Sequence, residues 1–389
     1  MTLSQLLAAP LFRYRYRREY AYFETLLNVL SVEPVNSPRP ESVKSITFVV
    51  YNITRFSGGH TSILRLGSAL ADRGFEVAYA TFTSQTSEEM VAAANSNLPG
   101  FRGVCLDSGA LRTRCSDVWV ATHWESAYHI RNLSGYKAYY IQDYEPYFYA
   151  FGEKLLLARK TYEFGYRMIT LGQWAASEIT RNLPQVPEPA HISFPYENKE
   201  YQPQPRNFEA YPHKQTLKIA VYAKHTERRA PFIIQNILGR VIRDFHERGL
   251  TIEVLYFGES RAYRFRHGRN LGKLSKAELL KLYQKCDFGM VASLTNISLV
   301  PFEMAATKLP IIECIDGSFP YFFDKQAAVL TNFDWRDLSA KLAEIISDPN
   351  RLRSMTDLAY QNLNGLSWET SAGQFAELLL SGETPATLS

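Results

Sequence analysis

Three groups of residues have types and spacings that could do chemistry. The first is a carboxylate, Glu303, in the opening turn of a helix pattern that begins near Pro301 and stops before Pro310. A carboxylate there can accept hydrogen bonds from two ribose hydroxyls while the free helix N–H groups face a phosphate. It can equally do no more than complement the helix dipole. The second group is cationic: Lys224 and Arg229, five residues apart in Ala223-Lys-His-Thr-Glu-Arg-Arg-Ala-Pro-Phe232, with Arg228 as an ambiguous neighbour. Two cations beside a helix N-terminus suit a diphosphate; the alternative is a solvated charge run. The third group stands at strand ends in the N-terminal half: Gly58 and Gly59, then His123, then Asp143 and Glu145 in Gln142-Asp-Tyr-Glu-Pro-Tyr-Phe-Tyr149. Two glycines let a ligand approach the backbone, or simply make a turn. His123 is either structural or a polar group at a cleft edge. The carboxylates and aromatics of the Tyr-rich loop suit a sugar, which has apolar C–H faces and hydroxyl edges, or form a plain surface loop.

The elements that must position these residues are legible from the pattern. Apolar runs at 45–51, 75–79, 117–123, 137–141 and 168–171 read as buried strands, and helix patterns alternate with them. The pattern restarts at 217–222 and continues through 251–257, a helix at 276–285, and the strand–loop–helix–strand of 288–315. Alternating strands and helices predict βαβ units and parallel sheets, whose ligands sit at strand carboxyl ends. Seven prolines between 184 and 213 mark a linker. The expected organisation is an N-terminal helical extension (1–43), a Rossmann-like domain (44–197), a linker (198–214), a second Rossmann-like domain (215–366), and a last helix and tail (367–389) that crosses back to the first domain.

Length and composition bound the function. A chain of 389 residues, 46% of them hydrophobic, is expected to hold two domains with sizeable cores. A net charge of +4 does not suggest nucleic acid. Four cysteines without C-x-x-C spacing read as reduced thiols, with neither disulfides nor a metal site. No apolar run reaches membrane-spanning length and no cleavage pattern follows Leu6 to Phe12, so a cytoplasmic protein is expected. In the extension, Arg13, Arg15, Arg17 and Arg18 alternate with Tyr14 and Tyr16, and Tyr20, Phe23, Leu26, Leu27 and Leu30 recur at helical spacing. Such a helix packs on the body or a partner subunit, or lies peripherally on an anionic inner-membrane surface.

Asn270-Leu-Gly-Lys-Leu-Ser through Ala292-Ser293, the stretch 291–314 and Tyr222-Ala-Lys-His-Thr-Glu-Arg-Arg229 together resemble family-4 retaining glycosyltransferases. They are similar to that family's nucleotide-sugar segment, its E-x7-E region and its G-R-x4-K diphosphate loop. Tyr140 to Tyr149, Gly172-Gln-Trp174 and Trp119 to Trp124 are similar to the WsaF-like rhamnosyltransferase subgroup. The resemblance covers about residues 45 to 365. It implies a GT-B fold, two Rossmann-like domains facing across a cleft, without a metal or other cofactor. It also implies transfer of a hexosyl unit, such as L-rhamnose from dTDP-L-rhamnose, to a growing, lipid-linked glycan in bacterial surface polysaccharide synthesis. By position, Glu303 would hold the ribose, and Lys224 and Arg229 the diphosphate. The backbone of Leu271, Gly272 and Leu274 would frame the base. Thr295, Asn296, Ile297 and Ser298 would cover the phosphates and donor sugar. His123, Asp143 and Glu145 would face the acceptor. Three positions depart from the pattern: Thr295 replaces the first Glu of E-x7-E, Lys308 replaces a Gly at the helix end, and Ala223 replaces the Gly before Lys224. The rivals are a GT-B sugar-nucleotide epimerase and a non-catalytic sugar-nucleotide-binding or scaffold subunit.

Overall fold

The computed structural model describes residues 3–28, 36–197 and 199–381, with side chains from residue 12 onward in the first helix. Leu30, Pro34 and residues 382–389 of the expected extension, linker and tail lie outside that description. Helix α1 (Leu3–Leu27) leads into β1 (Ser45–Val50), α2 (Gly58–Asp72), β2 (Glu76–Thr81), α3 (Ser87–Asn97), β3 (Val104–Leu106), α4 (Ser108–Thr113), β4 (Val118–Ala121), α5 (Trp124–His129), β5 (Tyr136–Ile141), α6 (Glu153–Lys160), β6 (Arg167–Leu171), α7 (Gln173–Asn182) and β7 (Ala190–Ile192). The second half holds β8 (Thr216–Tyr222), α8 (Pro231–Glu247), β9 (Thr251–Phe257), β10 (Arg269–Asn270), α9 (Lys276–Lys285), β11 (Phe288–Met290), α10 (Leu299–Ala306), β12 (Ile311–Cys314), β13 (Val329–Thr331), α11 (Trp335–Ser347), α12 (Pro349–Gln361) and α13 (Trp368–Leu380).

Two sheets result, one of seven strands in the order β3-β2-β1-β4-β5-β6-β7, one of six in the order β10-β9-β8-β11-β12-β13. Among the described residues every strand pairing is parallel, as strands buried on both faces and joined through helices must be. In each sheet the order reverses at its first strand. The crevices between β1 and β4 and between β8 and β11 are therefore switch points, where the loops diverge and leave room for a ligand. Helix starts are fixed locally: Ser275 and Glu278 cap α9 reciprocally, and Thr86 and Glu89 cap α3.

Each domain has its own core cluster, and a further one spans both. Phe194, on the connection after β7, stacks on Phe302 of α10 at 4.6 Å between ring centroids, and Phe322 closes the stack edge-on. Gly172, at φ +79, meets Phe322 so closely that a Cβ would stand 2.2 Å from the ring. Helix α13 lies on α2, with Phe375 against Phe48 of β1 and Tyr140 of β5.

Several expectations need correction. The proline-rich stretch contains β7, because the Pro-free triplet Ala190–Ile192 can pair with the edge of β6. Its later part, Phe208–His213, packs with Leu217 in the second domain's own core, so it is not free linker. Helix α1 is not amphipathic over its length. Leu26 is buried and Tyr22 and Phe23 pack on the first domain, but Tyr20 and Leu27 are exposed. The cysteines are free thiols, Cys115 exposed and the other three buried.

Candidate active site

The chemistry-bearing residues converge on the two switch points, which face each other. Gly58 and Gly59 are the first two residues of α2, capped by Ser57, and not part of a preceding turn. They follow β1; Thr122 and His123 follow β4. Across the cleft, residues 223–229 follow β8, and residues 291–298 run from β11 to α10. A cavity of roughly 550 Å³ between them is lined by Gly58, His123, Lys224, Arg228, Asn296 and Ser298, among others. A second cavity, roughly 490 Å³, continues it through Gly58, Tyr222, Lys224 and Ser298 and reaches Glu303, Leu274 and Phe257. An ideal Cβ at Gly58 would meet nothing within 4 Å, so the glycine leaves open the waist where the two cavities join.

Glu303 is half-buried in the wall of the second cavity. Helix α10 starts at Leu299, two residues earlier than expected, because Pro301 fits within the first turn, where no N–H is required. Glu303 thus sits in the second turn, and the dipole explanation for it weakens. Burial pushes its carboxyl up to about 7, against hydrogen bonds from Tyr283 and Tyr201. The Tyr283 hydroxyl donates to Oε2 at 3.0 Å. A carboxylate has about four acceptor sites, so room for further hydroxyl donors is left. At the head of α10, Ser298 Oγ is buried and has no partner among the described residues.

The three cations divide. Lys224 is half-buried and lines both cavities. Arg228 lies over the Phe148 ring at 3.9 Å and 4.0 Å from Asp143, reaching the first domain. Arg229 is 8% exposed and is spent largely on its own domain: it donates to Ala292 O, Ser293 Oγ and Asn296 O. Beneath it Glu313 accepts from Ser293 N, Ser293 Oγ and Cys314 N, and burial raises its carboxyl to about 7. Arg229 is part of a brace under the loop 292–296.

On the first-domain side, His123 caps α5 and stands 3.4 Å from Glu125. Burial alone would lower its pKa; Glu145 and Glu125 outweigh that, and the net shift is upward. His60 faces the same cavity and is pulled down to about 4 by burial and by His123. Glu145 is buried and held by Trp124 N at 2.6 Å and the Tyr139 hydroxyl at 2.7 Å, so it positions α5 as well as charging the cleft. Asp143 lines the same cavity. Its carboxylate is taken by Thr295 and Asn296 of the second domain.

Not every expected residue reaches the cleft. Leu274 lines the second cavity, together with Lys273 and Gly258. Leu271 and Gly272 stand behind it: Leu271 packs on the core, and Gly272, at φ +86, is covered by Arg261. Thr295 is 4% exposed. In the tyrosine-rich loop Tyr144 is core, at 2% exposed, while Tyr147 is exposed; Gln142, Asp143, Glu145 and Phe148 line the cavity. Trp119, Trp124 and Trp174 are likewise buried packing residues. Lys308 adopts φ +54, the conformation a helix-end Gly would take, and pairs with Asp357 at 2.7 Å.

Sequence reasoning missed Arg65, whose guanidinium pairs with Glu197 and Glu200 in the wall of the second cavity. Its signal was an Arg inside the apolar run Ile63-Leu-Arg-Leu66. Glu313, a carboxylate inside a buried strand, carried the same signal. Tyr201 and Tyr283 carried none. Among the described residues no group of three or more His, Cys, Asp or Glu is placed to hold a metal ion.

No family model matches the sequence. The chain is 26% identical over 293 residues to the O-antigen biosynthesis protein RfbC of Myxococcus xanthus, an alignment covering 71% of this chain. The match spans 22% of that much longer relative. Among solved structures, Alr3699/HepE of Anabaena, in complex with UDP and glucose, superposes with a TM-score of 0.68 at 12% identity, covering 86% of this chain and 99% of its own. Sucrose-phosphate synthase of Thermosynechococcus elongatus gives 0.66 at 14% identity over 86% and 98%. WaaG, a glycosyltransferase involved in lipopolysaccharide biosynthesis, gives 0.59 at 12% identity over 87% and 100%. At these identities the likeness establishes the fold: two Rossmann-like domains in the GT-B arrangement.

Proposed function

We propose that the chain is a glycosyltransferase that moves a sugar from a nucleoside-diphosphate donor to a glycan acceptor in surface polysaccharide synthesis. The observation that carries this reading is the order of groups along one continuous cleft. Glu303 stands at one end for the ribose; Lys224 and the head of α10 stand at the waist for the diphosphate; Asn296, Arg228 and His123 stand beyond for the sugars. The fold shared with HepE, whose structure holds UDP and glucose, and the match to an O-antigen biosynthesis protein support it.

The chemical problem is the charge of the departing nucleoside diphosphate. Lys224, Arg228 and the N–H groups that open α10 would stabilise it from fixed positions, which is the role otherwise given to a metal ion. Retention at the anomeric carbon, L-rhamnose as the sugar and dTDP as the carrier rest on the resemblance to the rhamnosyltransferase subgroup. The new bond would then form on the face the diphosphate leaves. A lipid-linked acceptor agrees with α1, which holds Phe12, Tyr14, Tyr16 and Tyr20 out to solvent among four arginines. No described helix is long and apolar enough to cross a membrane.

The test is thermal stabilisation by UDP, dTDP and GDP and by UDP-glucose, dTDP-L-rhamnose and GDP-mannose. The reading expects one base to stabilise the chain clearly over the others. Stabilisation by none would favour a scaffold subunit, and isomerised donor formed without acceptor would favour an epimerase.

A further inference from the structure

The loop 293–298, which walls the far side of the waist, is held by both domains at once. From below, Arg229 and Glu313 grip Ser293 and the Asn296 carbonyl. From above, the first domain holds Thr295 and the Asn296 amide. The Thr295 hydroxyl donates to Asp143 Oδ2 at 2.8 Å, and Asn296 N donates to Asp143 Oδ1 at 3.1 Å. The Asn296 side-chain amide donates to Gln142 O and Leu171 O, both at 2.8 Å, at the carboxyl ends of β5 and β6. Asn296 is 2% exposed. Arg228, 4.0 Å from Asp143, is the cation that faces the same carboxylate.

We propose that Asp143 is a positioning residue for the transferred sugar: reaching from the first domain, its carboxylate fixes Thr295 and Asn296 and so shapes the pocket that receives that sugar. This rests on the proposed glycosyltransferase reading. The chain lacks a carboxylate of its own at position 295, and Asp143 brings one to that place across the domain boundary. The sugar pocket is therefore complete only while the domains are closed. Nucleotide binding at Glu303 and Lys224 does not draw on Asp143, which is absent from the lining of the second cavity.

The experiment compares the affinity of UDP, dTDP and GDP with that of UDP-glucose, dTDP-L-rhamnose and GDP-mannose, in wild type, Asp143→Asn, Asp143→Ala, Thr295→Val and the double variant Asp143→Ala/Thr295→Val. For the base that binds, Asp143→Ala is expected to weaken the nucleotide sugar about tenfold or more while the bare diphosphate changes less than about twofold. Asp143→Asn, which keeps one acceptor oxygen, falls between. The double variant is expected to lose little more than Asp143→Ala alone, because both changes remove one contact. Additive losses, or equal losses for sugar and bare diphosphate, would overturn the proposal. So would unchanged nucleotide-sugar affinity with a defect only against the acceptor. Failure of every nucleotide to bind the wild type would instead overturn the glycosyltransferase reading on which it rests.

Discussion

The Tyr283 hydroxyl donates to Glu303 at 3.0 Å inside a cleft whose burial holds that carboxyl near pH 7. Ribose hydroxyls would donate to the same carboxylate, so donor binding favours its ionised form. Below about pH 7 a proton must leave before they can bind, and affinity falls up to about tenfold for each further unit. Nucleoside diphosphate affinity is thus expected to rise with pH up to about 7 and then level. Isothermal titration across that range should show the step in wild type and its loss in Glu303→Gln. Without ligand the sign is the reverse: the folded state holds this proton more tightly than the unfolded value of 4.5 allows. The associated stability is fully present below about 4.5 and is lost as pH rises through about 7.

Lys224 and Arg229 are expected to separate. Arg229 satisfies three groups of the 292–296 loop, so Arg229→Ala leaves buried acceptors unpaired and removes the cation near the Glu313 carboxylate. It should cost about 2–4 kcal/mol of stability as well as activity. Lys224→Ala should leave the melting temperature nearly unchanged and weaken nucleoside diphosphate binding about tenfold or more. Chemical denaturation and titration of both variants check the split.

Two glycines of the first domain make opposite predictions. Gly58 has ordinary backbone angles and open space beyond it, so Gly58→Leu should fold normally and fill the waist of the cleft. Nucleotide binding should be lost without loss of stability. Gly172 is at φ +79 with Phe322 against it, and Gly172→Ala should destabilise by about 2–4 kcal/mol through strain and collision together. Thermal unfolding distinguishes them.

Helix α1 is anchored at its end by the Tyr22 hydroxyl on Glu125 and by buried Leu26, while residues 12–20 stand clear. Arginines near an anionic surface contribute about 1 kcal/mol each. Sedimentation with phosphatidylglycerol vesicles, but not with phosphatidylcholine vesicles, is expected for wild type and should be lost in Arg13→Glu/Arg17→Glu. Equal partition with both lipids, or none, would leave α1 to a protein partner.

How much was legible in the sequence follows from what kind of contact placed each residue. Strands such as β8 and β9 and helix α9 carry their own periodicity and caps, and they fall where the pattern puts them. Glu303, Lys224 and Gly58 are positioned by the element each belongs to, so strand-end reasoning brought them to the cleft. The bond from Thr295 to Asp143 was not legible because the two lie 152 residues apart in different domains, a contact no local spacing encodes. Arg229 lines the cavity as its charge in sequence suggests, whereas the carbonyls it also braces are not visible there.

The most direct measurement is release of nucleoside diphosphate from the best-bound nucleotide sugar, with a glycan acceptor, by wild type, Glu303→Ala and Lys224→Ala. The ordered cleft predicts acceptor-dependent release by wild type and loss of at least about a hundredfold in kcat/KM for each variant. Release at the wild-type rate by both variants, or no release by wild type from any donor that binds, would contradict it.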